Sequence, residues 1–160
     1  MQRLPKLASA VDFADAMSTL ASGVVMVTCR LAGRPWGTTV TAFASVSADP
    51  PTVLVSLGSR TTVARAVAET QRFGVSILAD EHVAVAHYGS APRAPKFLER
   101  FVTPGDGVAG ALAHLECEVS DEVQVGDHTV FFGRVRVARA SRKGSPLLYH
   151  RRAYRQCLAS

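Results

Sequence analysis

The residues in this chain best suited to chemistry carry hydroxyls and fall in two segments. Thr38, Thr39, Thr41, Ser45 and Ser47 lie within one short stretch, and Ser56, Ser59, Thr61 and Thr62 follow with Arg60 among them. Hydroxyls and backbone N–H groups in a turn that opens a helix make an anion site of phosphate size, because the first helical turn leaves donors unpaired and carries partial positive charge. Arg60 adds a full charge. The same residues also read as an ordinary Ser/Thr helix cap, and composition alone favours the cap. Other constellations are missing. There is no G-x-S-x-G, no H-E-x-x-H, no G-x-x-x-x-G-K-S/T and no G-x-G-x-x-G. His82 and His87 are off the one-face spacing of paired helical metal ligands, and His114, beside an alternating run, reads as a surface residue. Asp127 and His128 adjoin with no nucleophile to serve. Cys29, Cys117 and Cys157 are odd in number and widely spaced, which argues against a disulfide framework or a structural zinc site. Neither a metal nor a catalytic side chain is therefore expected.

The elements that must position these residues follow from periodicity. Phe13, Ala16, Met17 and Leu20 have helical spacing, and Gly23 ends that helix. Val24 to Cys29 is a short β-branched run, a buried strand. Thr38 to Ser47 reads as one strand with a wet face, broken by Asp49-Pro50-Pro51. Thr52 to Leu57 is the next strand, followed by a polar turn and a helix to Glu69; Phe73 to Leu78 is a fourth strand. Asp80 to Tyr88 is helical again. The region from Pro92 to Gly110 is rich in turn residues around Lys96-Phe97-Leu98. Ala113 to Gln124 and Thr129 to Ala140 flank Gly126-Asp127 as a long hairpin, and Pro146 to Tyr149 starts a terminal strand. Strands outnumber helices with no β-helix-β alternation, which disfavours a parallel doubly wound sheet and fits a closed antiparallel barrel.

At 160 residues and 17.0 kDa the chain has room for one ordinary domain. One domain over 1–160, with a core from about 13 to 155, is expected. A hydrophobic share of 48% against 19% charged residues is too apolar for a disordered chain. No apolar stretch approaches the roughly 20 residues of a membrane helix, and the basic start runs into Asp12 and Asp15, so a soluble cytoplasmic protein without membrane contact is expected. The net charge of +5 is uneven: positions 134 to 160 hold eight basic and no acidic residues. That tail suits an anionic cofactor or an acidic partner. With only Tyr149 and Tyr154 as stacking groups, nucleic acid is not expected.

Five segments occur in an order and spacing that resembles a known family. They are Ala21-Ser22-Gly23-Val24-Val25-Met26-Val27-Thr28, Gly37-Thr38-Thr39-Val40-Thr41-Ala42-Phe43-Ala44-Ser45-Val46-Ser47-Ala48-Asp49-Pro50-Pro51, Phe73-Gly74-Val75-Ser76-Ile77-Leu78, Leu115-Glu116-Cys117 and Gly126-Asp127-His128-Thr129-Val130-Phe131. Together they resemble the short-chain NAD(P)H:flavin oxidoreductases, the reductase components of two-component flavin-dependent monooxygenases. The resemblance implies a mainly β fold, an antiparallel Greek-key split β-barrel with a few short helices, that binds FMN or FAD in a homodimer. It implies an enzyme that uses NADH or NADPH to reduce flavin for a partner monooxygenase. A flavin- or haem-binding split-barrel protein without reductase activity is the alternative. By the same resemblance, Thr39, Val40, Thr41, Ala42 and Phe43 would lie along the flavin, and Ser59, Arg60, Thr61 and Thr62 would hold its phosphate. Tyr88 would stand at the cofactor edge, where the family often has Phe. Ser45, Val46 and His128, with Tyr149 and Tyr154, would shape the nicotinamide pocket. Ser76 stands where the family often has Asn. Hydride transfer between two cofactors needs close stacking and exclusion of water, not a protein base, which suits the missing catalytic groups.

Overall fold

The computed structural model describes residues 6–157. Helix α1 (Ala10–Ser18) precedes β1 (Ser22–Gly23), β2 (Val25–Leu31), β3 (Arg34–Val40), β4 (Phe43–Ala48) and β5 (Pro51–Gly58). Then come α2 (Thr62–Thr70), β6 (Arg72–Ile77), a single 3-10 turn (Asp80–His82) and α3 (Val83–Ser90). The chain ends with β7 (Ala113–Val125), β8 (His128–Ala140), β9 (Leu147–His150) and β10 (Ala153–Gln156). Seven strands form one antiparallel sheet in the order β3-β2-β6-β7-β8-β5-β4, and β1-β9-β10 form a smaller one. The expected mainly β, antiparallel split-barrel class is what the chain adopts.

The large sheet begins on β3 and ends on β4, which are consecutive in the chain. It must therefore curl until its two edges face each other across the Thr41–Ala42 turn. Bulges between Glu116 and Cys117 and between Val119 and Asp121 bend the long β7–β8 hairpin that makes this curl possible. Inside the curl, Val27, Val55, Phe73, Val75 and Phe131 pack against Val63 and Val67 of α2. A second core of Val24, Met26, Leu78, Val85, Leu98 and Leu147 fills the space under α3 and the small sheet. Strand β2 serves both, which explains its unbroken buried run from Val25 to Cys29 where a one-faced strand would alternate. Each such side chain contributes roughly 1.5–3 kcal/mol by leaving water. The small sheet is tied on by three backbone bonds: Val24 N–H to the Leu147 carbonyl, Leu147 N–H to that of Leu78, and Leu78 N–H to that of Val24.

Three expectations change. The segment Thr38–Ser47 is two strands, not one. The chain reverses at Thr41 and Ala42, where the Phe43 N–H donates to the Thr41 carbonyl at 2.9 Å and the Ser56 N–H to the Ala42 carbonyl at 3.0 Å. The terminal strand is a hairpin, β9–β10. His114 is half-buried, its ring nitrogen 3.1 Å from the Ser76 hydroxyl on the neighbouring strand. The predicted Gly126-Asp127 turn closes the β7–β8 hairpin as expected, with Gly126 at φ 61°, a conformation that costs glycine little.

Candidate functional site

Two cavities are lined by neighbouring residues of β3, and the larger reaches the Thr41–Ala42 turn. The larger, about 660 Å³, lies between the end of β3, α3 and the β9–β10 hairpin. Its walls are Thr39, Val40, Thr41, Ala42 and Ser56 on one side and His87, Tyr149 and Tyr154 on another, with His128 and Arg152 among the other groups that line it. No carboxylate among the described residues lines it. Neither Thr41 nor Ala42 spends its N–H on a backbone partner among the described residues, so two donors stand free at the wall. The His87 ring packs edge-on against Tyr154, centroids 4.7 Å apart, and Tyr154 packs against Tyr149 at 5.3 Å. Aromatic faces and unspent donors on opposite walls suit a flat, polar-edged ring.

The smaller cavity, about 250 Å³, begins one residue back along β3, at Thr38. Arg60, Thr61, Thr62 and Val63 of the α2 start line it, with Arg93, Ala94 and Lys96 from the loop after α3. Thr61 caps α2, its Oγ1 accepting the Ala64 N–H at 3.2 Å. The cap leaves the N–H groups of Thr62 and Val63 without backbone partners among the described residues, so a capped helix start still has donors to offer an anion here. Among the described residues, three cations and no acid line this space. Burial lowers the Lys96 pKa, as expected for an ammonium that has lost water without gaining a carboxylate.

Local pairing fixes Lys96. The Gly37 N–H donates to the Lys96 carbonyl at 3.2 Å and the Leu98 N–H to the Pro35 carbonyl at 3.0 Å, an added rung on β3. Trp36 and Phe97 pack edge-on at 4.4 Å, and the Arg34 guanidinium lies over Phe97. Gly37 permits the approach, since a Cβ there would stand 2.3 Å from Leu98 Cδ1.

Of the residues predicted for the site, Thr39, Val40, Thr41, Ala42, His128, Tyr149 and Tyr154 line the larger cavity, and Arg60, Thr61 and Thr62 the smaller. Ser59 stands just behind, its hydroxyl 2.9 Å from that of Thr129 and its N–H bonded to the Asp127 carbonyl. Phe43, Ser45 and Val46 lie on β4 outside both cavities. Tyr88 also lies outside; its hydroxyl donates to the Phe97 carbonyl at 2.9 Å and steadies the loop that carries Lys96. Sequence reasoning did not find His87, Ser90, Arg93, Lys96 or Arg152. Only the mixed apolar and basic character of Lys96-Phe97-Leu98 hinted at one of them.

Two cysteines and one histidine are held in structural roles. Burial pushes the Cys29 and Cys117 thiols up to about 12, so neither is a nucleophile at neutral pH. His82 accepts the Ala79 N–H at Nδ1 and contacts the Ala109 carbonyl at Nε2, both at 2.9 Å, a structural role.

A family model described as flavin reductase like domain matches residues 17–158. The reductase component of a 4-nitrophenol 4-monooxygenase/4-nitrocatechol 2-monooxygenase from Rhodococcus opacus is 35% identical over 143 residues, covering 88% of this chain and 77% of that protein. An NADH-dependent flavin reductase from a Rhodococcus species is 37% identical over 147 residues, covering 88% and 82%. The solved structure of the flavin reductase PheA2 in its native state superposes with a TM-score of 0.86 at 31% identity, over 95% of this chain and all of that one. A match that spans most of the chain, on a fold whose free donors and cations gather at one cleft, means that this chain belongs to the flavin-reductase-like family.

Proposed function

We propose that the chain is an NAD(P)H-dependent flavin reductase that accepts FMN or FAD and passes reduced flavin to a separate monooxygenase. The observation that carries this reading is that successive residues of β3 line the two cavities, Thr39 the larger and Thr38 the smaller. A slot suited to a flat ring and a pocket of three cations and free helix N–H groups at neighbouring positions match the shape and charge of a flavin with its phosphate. The backbone of Thr41 and Ala42 would hold the ring's polar edge, and Thr39 and Val40 its flank. Arg60, Thr62, Arg93 and Lys96 would hold the phosphate. When bound, the flavin supplies the hydride acceptor, and the hydride comes from the nicotinamide of NADH or NADPH. Tyr149, Tyr154 and His128 would close the other side of the cleft, position the nicotinamide and exclude water. Ser45 and Val46, on the exposed strand β4, would act from the dimer interface side.

Helix α1 buries none of its residues, and Phe13, Met17 and Leu20 stay exposed beside an apolar groove that includes Phe43 and Leu54. That face would be covered by a second copy of the chain, as a homodimer. The three free cysteines fit a reducing compartment, the cytoplasm. The monooxygenase partner is supported by the relative that is itself such a reductase component.

Mixing the purified protein with NADH or NADPH and excess FMN or FAD under anaerobic conditions should bleach the flavin absorbance catalytically. Tight flavin binding without nicotinamide oxidation, in all four combinations, would reduce the protein to a flavin carrier.

A further inference from the structure

The β9–β10 hairpin turns on Arg151 and Arg152 alone, with His150 paired to Ala153. Both arginines take left-handed backbone, at φ 49° and 60°. Such two-residue turns ordinarily use Asn-Gly, because a side chain there is strained. The strain is held in place from outside the hairpin. The Arg151 N–H donates to the Ser18 carbonyl at the end of α1 at 2.7 Å, and the Arg152 guanidinium pairs with Asp15 on the same helix. Among the described residues Arg152 is the only permanently charged side chain lining the larger cavity, and no acid lines it.

Strain kept at a ligand cleft points to use of the strained group. We infer that Arg152 receives a phosphate of the nicotinamide dinucleotide and that Asp15 is its positioning residue, orienting the guanidinium from α1. The inference rests on the reductase reading above. The shared chemistry is a phosphate oxygen, from either the diphosphate bridge of both dinucleotides or the 2′-phosphate of NADPH alone; a planar guanidinium binds either in bidentate fashion.

The test is Arg152→Gly, which removes the cation and relieves the turn. The expected result is a rise of about tenfold in KM for the dinucleotide, with kcat and the flavin KM within twofold of wild type. The melting temperature should be equal or higher, and the affinity of unreactive NAD+ or NADP+ in calorimetry with flavin-loaded protein should fall in parallel. Arg152→Lys should recover part of the loss, and Asp15→Asn should show a smaller rise. Equal effects on NADH and NADPH assign the diphosphate; an effect on NADPH alone assigns the 2′-phosphate. An unchanged KM and affinity in an active enzyme overturns the role of Arg152, as does a loss confined to melting temperature. Absence of turnover in the wild type, with NAD+ and NADP+ failing to bind, overturns the reductase reading and this inference with it.

Discussion

The Ser76 hydroxyl links two strands and a loop: its oxygen accepts the Val108 N–H at 2.9 Å and lies 3.1 Å from Nδ1 of His114. We assign the hydroxyl proton to Nδ1, the arrangement of a neutral His114. Burial lowers the His114 pKa and nearby Arg139 adds to that, while Glu116, a hydrogen bond to the Gly105 backbone and Asp106 oppose it. Between the native value and the ordinary imidazole value near 6.5, the unfolded chain binds a proton that the folded chain refuses. Stability should therefore fall as the pH drops below about 6.5. His114→Asn, which keeps an acceptor for Ser76, should flatten that slope in urea denaturation measured at pH 5 to 7. Parallel slopes would show that His114 does not control it.

This pairing shows where the chain's sequence was readable and where it was not. The hairpin from Ala113 to Ala140 was legible because alternation and a Gly126-Asp127 turn are local signals. Strand boundaries elsewhere agreed to within a few residues for the same reason. The reversal at Thr41 and Ala42 was not, since it contains neither Gly nor Pro and is dictated by closure of the sheet. Ser76 and His114 meet through strand register, and Lys96 reaches Thr38, at 3.5 Å, through a loop folded back on β3. Neither leaves a mark in local spacing. The basic tail was visible as charge, but Arg136 and Arg139 are spent on Glu118 and Glu116 across the hairpin. Of its arginines, Arg152 alone lines the larger cavity.

Lys96 offers the smaller cavity an ammonium that has no carboxylate partner among the described residues. Lys96→Ala should weaken FMN by about tenfold or more, the effect of one charge-assisted contact. Riboflavin, which lacks the phosphate, should bind equally well to both proteins. Fluorescence quenching titrations with the two flavins separate these outcomes, and equal loss for both would move the phosphate elsewhere.

His128 stands at the cleft with Nδ1 2.8 Å from the Asp127 carboxylate. The hydrogen bond from His128 and its charge hold the Asp127 carboxyl below the usual carboxylate range. His128→Ala should raise the KM for the nicotinamide substrate about tenfold, as expected for one hydrogen bond worth roughly 1.4 kcal/mol, and leave flavin affinity unchanged. Steady-state kinetics with each substrate varied in turn checks this.

Helix α3 packs on β3 through Ala86 and Gly89. A Cβ on Gly89 would stand 2.2 Å from Thr39 Oγ1, 2.6 Å from Met26 Cε and 3.0 Å from the Thr39 backbone nitrogen. The Thr39 hydroxyl is itself committed, donating to the Ala86 carbonyl at 2.7 Å. Gly89→Ala must push α3 away from the strand or break that bond. Overpacking of this kind costs about 1–3 kcal/mol, or a fall of roughly 2–12 °C in Tm for a chain of this size. Because Thr39 forms one wall of the cleft and His87 and Ser90 of α3 line it too, flavin affinity should fall alongside stability. Adding Thr39→Ala removes the nearest clashing atom, so the double variant should regain part of the lost Tm. Its failure to do so would place the conflict at Met26 Cε or the strand backbone, the two contacts that remain.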